Sequence, residues 1–341
     1  MNIYVVSPNK IWGGAATANI AIAEMLSTEN KVFYNDEYFK VERNGLIHDD
    51  YPIHQLKNSD RFVQHLLDKK IDFVIWGVAM VLPFYRKASK RLKKLGVNQA
   101  VLFHSLAIDK SIKGKLMEWL IAASVKHVDH LVFVSSFTDV SWSKFSWIKK
   151  HSNHHVIYNP VHVSGNSKPS IKDFSKIGFV GRFSPEKQPE YFARLSIINS
   201  HDSFIAWGDG PMLESISKKY PNVSYKGHSS CQEEIYKSFG ILVMTSSFEN
   251  CPMVILEARA HGIPCVVPNV GGIPEIVRDN IDGKLYSDYS PETILDCIQQ
   301  IQNNYQFYSN NCLNTITDYS YENLYKKWKS ILNNNSSTIK I

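Results

Sequence analysis

The chain has 341 residues, of which 44% are hydrophobic, and its formal net charge is +6. That length suits two domains of ordinary size, and the apolar share builds globular cores, so a disordered or low-complexity chain is set aside. The mild basic excess admits an anionic small molecule or an anionic membrane surface and does not by itself point to nucleic acid.

The N-terminus, Met1-Asn2-Ile3-Tyr4-Val5-Val6, lacks the basic-then-apolar layout of a signal peptide. No apolar run approaches the roughly 20 residues that cross a bilayer. A cytoplasmic protein, soluble or peripheral on the inner face of the membrane, is the expectation. Residues 3–7 read as a buried strand. A loop carrying Gly13 and Gly14 leads into an apolar helix over 15–26, and this pair lets backbone approach a ligand at a helix N-terminus. The pair is not G-x-G-x-x-G, so a dinucleotide fingerprint is unsupported. Strands follow at 31–34 and 72–76, with a helix over 60–69 between them. Residues 82–95 read as a strongly basic helix with Arg86, Lys87, Lys90, Arg91, Lys93 and Lys94. Its stripe is Leu82, Tyr85, Ala88, Leu92 and Leu95. Such a helix is a solvated face over a core stripe or a patch for anionic lipid.

The strand at 99–103 delivers His104 and Ser105 at its carboxyl end, where ligands of open α/β sheets bind. Helices over 113–126 and 137–149 flank a strand at 130–134. A polar stretch at 163–175 reads as an interdomain linker, and a second strand–helix series begins at 176–180. Gly181-Arg182-Phe183-Ser184-Pro185-Glu186-Lys187 follows directly. The arginine fork and the lysine point charge suit two adjacent phosphates. Gly208-Asp209-Gly210-Pro211 makes a turn, and 223–228 a short strand and loop ending at His228. After a helix at 233–239, the apolar run Ile241-Leu242-Val243-Met244 reads as a buried parallel strand. It opens on Phe248-Glu249-Asn250-Cys251-Pro252-Met253, then a helix over 253–261 that stops at Gly262 and Pro264. Glu249 and Glu257 frame this unit, and a carboxylate accepts from two neighbouring hydroxyls, which suits sugar and ribose rings. Gly271-Gly272 precedes Pro274, and helices over 291–303, 305–316 and 319–332 close the chain. The five cysteines (231, 251, 265, 297, 312) are odd in number and without C-x-x-C, so they read as reduced thiols rather than a disulfide framework or a zinc site. Cys251 reads as a loop residue whose backbone matters, not as a nucleophile.

The stretch from Phe248 to Glu275 resembles the E-x7-E signature of the retaining GT-B glycosyltransferases of family 4, in its spacing, its Glu257-Ala258 pair, Gly262, Pro264 and the following Gly-Gly-x-Pro-Glu. The segment Gly181–Lys187 resembles that family's GRL-x-x-EKG, with Gln188 where glycine is common, and Gly208–Pro211 its GDGP turn. The resemblance covers nearly all of the C-terminal half and, more weakly, the N-terminal half. It implies an α/β GT-B fold: two doubly wound Rossmann-like domains facing a cleft, at 1–165 and 166–318, with a helix and tail at 319–341 crossing back to the first.

The resemblance also implies a site. Arg182 and Lys187 meet the donor diphosphate. Glu249 and the backbone of Asn250, Cys251, Pro252 and Met253 meet the sugar, and Glu257 the ribose. Gly13, Gly14 and Gly181 line the diphosphate loops, His228 stands on the base side, and His104 reaches the sugar from the other domain. The implied activity is a retaining, metal-independent transfer of a hexose or N-acetylhexosamine from a nucleotide-diphosphate sugar, UDP before GDP. The acceptor is a glycan, foremost a lipid-linked oligosaccharide of a bacterial surface polysaccharide such as lipopolysaccharide O-antigen. No cofactor and no metal is expected, since no D-x-D occurs. The alternatives are a GT-B nucleotide-sugar 2-epimerase, which needs no acceptor, and a nucleotide-sugar-binding protein without turnover.

Overall fold

The computed structural model describes residues 1–7, 13–35, 45–52, 59–107, 111–163 and 173–333. Residues 8–12 of the first glycine loop, 164–172 of the linker and the tail from 334 lie outside them. The chain forms two compact units, Met1–Pro160 with Tyr321–Ile341, and Val161–Ser320.

Unit 1 alternates strand and helix in the order β1 (Asn2–Val6), α1 (Gly14–Ser27), β2 (Lys31–Asn35), β3 (Leu46–His48), α2 (Ser59–Asp68), β4 (Phe73–Trp76) and α3 (Arg86–Lys94). It continues through β5 (Asn98–Phe103), α4 (Ile112–Ser124), β6 (His130–Phe133), α5 (Ser136–Trp142), α6 (Ser146–Lys149) and β7 (His154–Val156). The strands form one parallel sheet ordered β3-β2-β1-β4-β5-β6-β7. Strands covered on both faces read as unbroken apolar runs, and Phe73–Trp76 is buried at every residue. Phe62, Trp76, Phe103, Phe133 and Trp142 fill one side of the sheet, with Phe103 and Phe133 stacked at 4.6 Å. Each such ring contributes on the order of 2–3 kcal/mol by leaving water.

Unit 2 runs β8 (Lys176–Val180), α7 (Pro189–Ile198), β9 (Ser203–Trp207), α8 (Leu213–Lys219), β10 (Val223–Gly227), α9 (Gln232–Lys237) and β11 (Ile241–Val243). There follow α10 (Met253–Ala260), β12 (Cys265–Pro268), α11 (Ile273–Ile276), β13 (Gly283–Tyr286), α12 (Pro291–Asn303) and α13 (Tyr305–Thr315). Its parallel sheet is ordered β10-β9-β8-β11-β12-β13. The last helix, α14 (Tyr321–Asn333), belongs to unit 1. It buries Leu324, Tyr325, Trp328, Ile331 and Leu332, and Tyr321 donates to Glu24 of α1 at 2.9 Å.

Two helices of unit 1 differ from the sequence reading. The basic helix begins at Arg86 rather than residue 82. Pro83 has no N–H, and Phe84 and Tyr85 donate to Val81 and Leu82 in short turns ahead of the helix. Leu95 is 52% exposed, so it leaves the predicted stripe, and Ser89 is buried in the helix beside Ala88 and Leu92. The helix predicted over 137–149 is two pieces, because Trp142 donates to Ser105 at 2.7 Å and Lys144 reaches the carbonyl of Ala107. Those contacts pull the chain extended at Phe145.

Candidate active site

Both sheets change winding direction once, between β1 and β4 and between β8 and β11. Loops at the carboxyl ends of the strands beside such a point diverge and leave a crevice for ligands. In unit 2 the loop after β8 is Gly181–Lys187 and the loop after β11 is Thr245–Cys251, so the sheet order brings the two predicted segments side by side.

Hydrogen bonds stitch these loops together. The Thr245 hydroxyl lies 3.0 and 2.9 Å from the carbonyls of Lys187 and Gln188. Ser247 donates its N–H to the carbonyl of Glu186 at 2.9 Å. Gln188, where the resembled family favours glycine, adopts a left-handed conformation with φ of 48°. On this frame Lys187 and Glu249 form an ion pair through Glu249 Oε1. Ser246 donates to the same oxygen at 2.8 Å. Glu249 is 9% exposed. Its Oε2 takes no hydrogen bond among the described residues, so one oxygen is anchored and the other is open to a hydroxyl. Tyr286 and Tyr289 hold the loop from behind, donating to the carbonyls of Met244 and Ser246 at 2.7 and 2.8 Å. Gly271, at φ +59°, lets the backbone pass over Glu249, and a Cβ there would lie 1.9 Å from the Glu249 carbonyl oxygen.

Pro252 is the N-cap of α10, with Cys251 and Met253 buried beside it and Asn250 half-buried. The first N–H groups of α10 lack partners within the helix, as those of any helix do. Glu257 lies one turn into α10 and is 7% exposed. Gln232 donates to its Oε1 at 2.8 Å and Tyr236 to its Oε2 at 2.6 Å. Burial raises the carboxyl pKa of Glu257 above its ordinary value, and these two hydrogen bonds oppose the rise. Arg182 is exposed at the mouth of its loop, close enough to Glu186 to help lower that carboxyl. Burial works against that lowering, and the Ser184 hydrogen bond, Lys187 and Arg182 outweigh it. Gly181 is half-buried beside Arg182, and His228 is exposed after β10, at the sheet edge.

The corresponding place in unit 1 is built from Ser7 after β1, Gly77 after β4 and His104 after β5. His104 Nε2 lies 3.0 Å from Asn19 Oδ1, and Asn19 donates to Ser7 at 3.2 Å. Burial lowers the His104 pKa to about 4, so the ring is neutral at pH 7. Gly13 caps α1 and Gly14 opens it, and no side chain crowds either position. Among the described residues no group of three or more His, Cys, Asp or Glu side chains converges as a metal centre.

The sequence reading thus named Lys187 and Glu249 and missed Ser246, Gln232, Tyr236 and Asn19. Ser246 stood in the signature loop and three residues before Glu249, which was the one available signal. Gln232 and Tyr236 lie 25 and 21 residues from Glu257, and no local pattern links them.

Two parallel sheets, each in nucleotide-binding order and each with its polar cluster at the switch point, define the GT-B fold. Residues 175–304 match the model of the family described as glycosyl transferases group 1. The chain is 28% identical over 180 residues to the UDP-Gal:alpha-D-GlcNAc-diphosphoundecaprenol alpha-1,3-galactosyltransferase of Escherichia coli, covering 47% of this chain and 46% of that one. It is 26% identical over 211 residues to the Escherichia coli O-antigen biosynthesis glycosyltransferase WbnH, covering 59% and 61%. The match therefore spans less than two thirds of either relative. Among solved structures, Anabaena Alr3699/HepE in complex with UDP-glucose superposes with a TM-score of 0.79 at 16% identity, covering 98% of this chain and 100% of that one. The resemblance of the signature stretch to bacterial group 1 glycosyltransferases is thereby shown, and the fold with it.

Proposed function

We propose that the protein is a retaining glycosyltransferase that moves a hexose or N-acetylhexosamine from a nucleotide-diphosphate sugar to a glycan. The observation that carries this is the Lys187–Glu249 pair beside the open Glu249 Oε2 at the switch point of unit 2. Glycosyl transfer builds an oxocarbenium-like centre and releases a diphosphate, so the main electrostatic task is to stabilise growing phosphate charge. Within unit 2, Lys187 and Arg182 supply that charge with backbone amides beside Gly181, and no metal is needed; Gly13 and Gly14 are the donor-facing backbone of unit 1. Glu249 orients the sugar hydroxyls together with the backbone from Asn250 to Met253. Glu257 receives the ribose, His228 flanks the base, and neutral His104 acts as a hydrogen-bond partner rather than as an acid. The leaving phosphate takes the acceptor's proton on the face it departs from.

Uridine diphosphate sugars are the favoured donors, in keeping with the UDP-Gal of the Escherichia coli galactosyltransferase and the UDP-glucose of the Anabaena complex. A lipid-linked glycan is the favoured acceptor, in keeping with the diphosphoundecaprenol of the same relative. No helix among the described residues is long and apolar enough to cross a membrane. The exposed cations of α3 supply the attraction to an anionic surface.

A metal-free thermal-shift screen against nucleoside diphosphates and their sugars tests the reading. A ligand at 100 times its Kd adds about 2.7 kcal/mol of stability. A shift with uridine compounds is expected, followed by transfer only when an acceptor is present. Product from the donor alone would indicate an epimerase, and no shift with any nucleotide would overturn the reading.

A further inference from the structure

Glu249 and Glu257 are both buried carboxylates, yet they present themselves differently. Glu249 keeps one oxygen open, whereas each oxygen of Glu257 already holds a donor from α9. Gln232 and Tyr236 stand four residues apart on α9, which puts them on one face, turned to α10. Their surroundings differ sharply. Tyr236 is 1% exposed and its ring stacks on His261 at 4.9 Å, so its hydroxyl is fixed. The Val254 carbonyl, at 3.5 Å, is too distant to compete with Glu257 for that proton. Gln232 is the exposed first residue of its helix and reaches Glu257 on an unbranched side chain.

We infer that Gln232 is a displaceable cap on Glu257, which a hydroxyl of the nucleotide ribose replaces, while Tyr236 is the anchor that holds the carboxylate in its receiving orientation. This rests on the reading that unit 2 takes a nucleoside diphosphate. Hydroxyl and amide donors offer Glu257 Oε1 equivalent hydrogen bonds, so the exchange is nearly neutral in bond count. Its cost is the loss of the Gln232 bond, and that cost falls on every nucleotide that uses the ribose hydroxyl. Gln232 and Tyr236 are thus positioning residues that set how strongly the site distinguishes a ribonucleotide from a deoxyribonucleotide.

The test is calorimetric titration of the full chain at pH 8 with uridine and guanosine 5′-diphosphates and their 2′-deoxy and 3′-deoxy counterparts. Gln232→Ala is expected to bind the ribonucleotide about three- to tenfold tighter, the span of one modest hydrogen bond. Tyr236→Phe is expected to bind it weaker by a similar factor. Both changes should shrink towards onefold with the deoxynucleotide that lacks the contacting hydroxyl. Gln232 is exposed, so its variant folds. Unchanged or weaker ribonucleotide binding by Gln232→Ala overturns the cap. Equal tightening for ribo- and deoxynucleotides overturns the ribose as the group that displaces it. Wild-type protein that binds neither ribonucleotide overturns the nucleotide reading itself, a result separable from the other two.

Discussion

Lys187 and Glu249 are 62 residues apart in the chain and form an ion pair at the switch point of unit 2. Their side chains are unequally buried, at 29% and 10% exposure. Removing either one therefore has different consequences for folding. Glu249→Gln leaves a lysine that can turn to water, and its stability should stay within about 1 kcal/mol of wild type. Lys187→Met leaves a buried carboxylate without its cation and should cost about 1–3 kcal/mol. Both should lower kcat by about a hundredfold or more if the pair serves the departing diphosphate and the sugar. Parallel denaturation and steady-state assays check this. Full turnover by either variant at saturating donor would remove the pair from the mechanism.

Arg259, on the same helix as Glu257, makes a stability prediction without a catalytic one. It is 1% exposed and donates to Asp282 and Thr315 at 2.8 and 2.6 Å and to the carbonyl of Ile276. Asp282 is fully buried. Removing one partner of a buried pair strands the other charge, so Arg259→Ala should cost about 3–5 kcal/mol. Arg259→Met with Asp282→Leu removes both charges and should recover most of that loss. Chemical denaturation of the two variants decides it, and equal losses in the single and double variants would refute the pairing argument.

Much of the architecture is legible in the sequence because parallel strands buried on both faces leave apolar runs such as Phe73–Trp76 and Ile241–Val243. The loops after β8 and β11 carry Gly181–Lys187 and Phe248–Pro252; the resemblance assigned both to the donor, and the pairing of β8 with β11 is what sets Lys187 beside Glu249. What the sequence hides are contacts between helices. Tyr236 meets Glu257 only because α9 and α10 pack together, and Asn19 meets His104 across a separation of 85 residues. The start of α3 was misplaced because the apolar stripe continues through Pro83 while the backbone hydrogen bonds do not. The break after Trp142 is imposed by Ser105 and Ala107, about 37 residues earlier, and leaves no local signal.

A histidine cluster at the amino ends of β6 and β7 makes unit 1 sensitive to acid. His130 Nδ1 and His155 Nε2 are 3.1 Å apart. Burial lowers the His130 pKa from 6.5 to about 4, with His155 adding to it. Burial lowers His151 and His155 as well. The unfolded chain holds more protons than the folded one between those values, so stability is full above pH 6.5 and falls as pH drops towards 4. Each such imidazole is worth up to about 1.4 kcal/mol per pH unit in that window. Scanning calorimetry should show a level Tm above pH 7 and a falling one below 6.5. His130→Gln should flatten the fall, and an unchanged slope would remove His130 as a contributor.

The basic helix α3 carries the membrane prediction. Arg86, Lys87, Lys90, Arg91, Lys93 and Lys94 are all exposed. Two of them are engaged at the surface, Arg91 with Asp60 and Lys93 with Asp129 at 3.4 Å. Arg86, Lys87, Lys90 and Lys94 are in no ion pair among the described residues and are the ones available to lipid phosphates. Attraction of that kind is worth about 1 kcal/mol, or roughly fivefold, per cation and fades within a Debye length of about 8 Å at physiological ionic strength. Lys87→Glu with Lys90→Glu and Lys94→Glu should therefore reduce co-sedimentation with anionic vesicles by of order a hundredfold and leave neutral vesicles unaffected. Binding that ignores lipid charge, salt and these substitutions alike would rule out α3 as the contact.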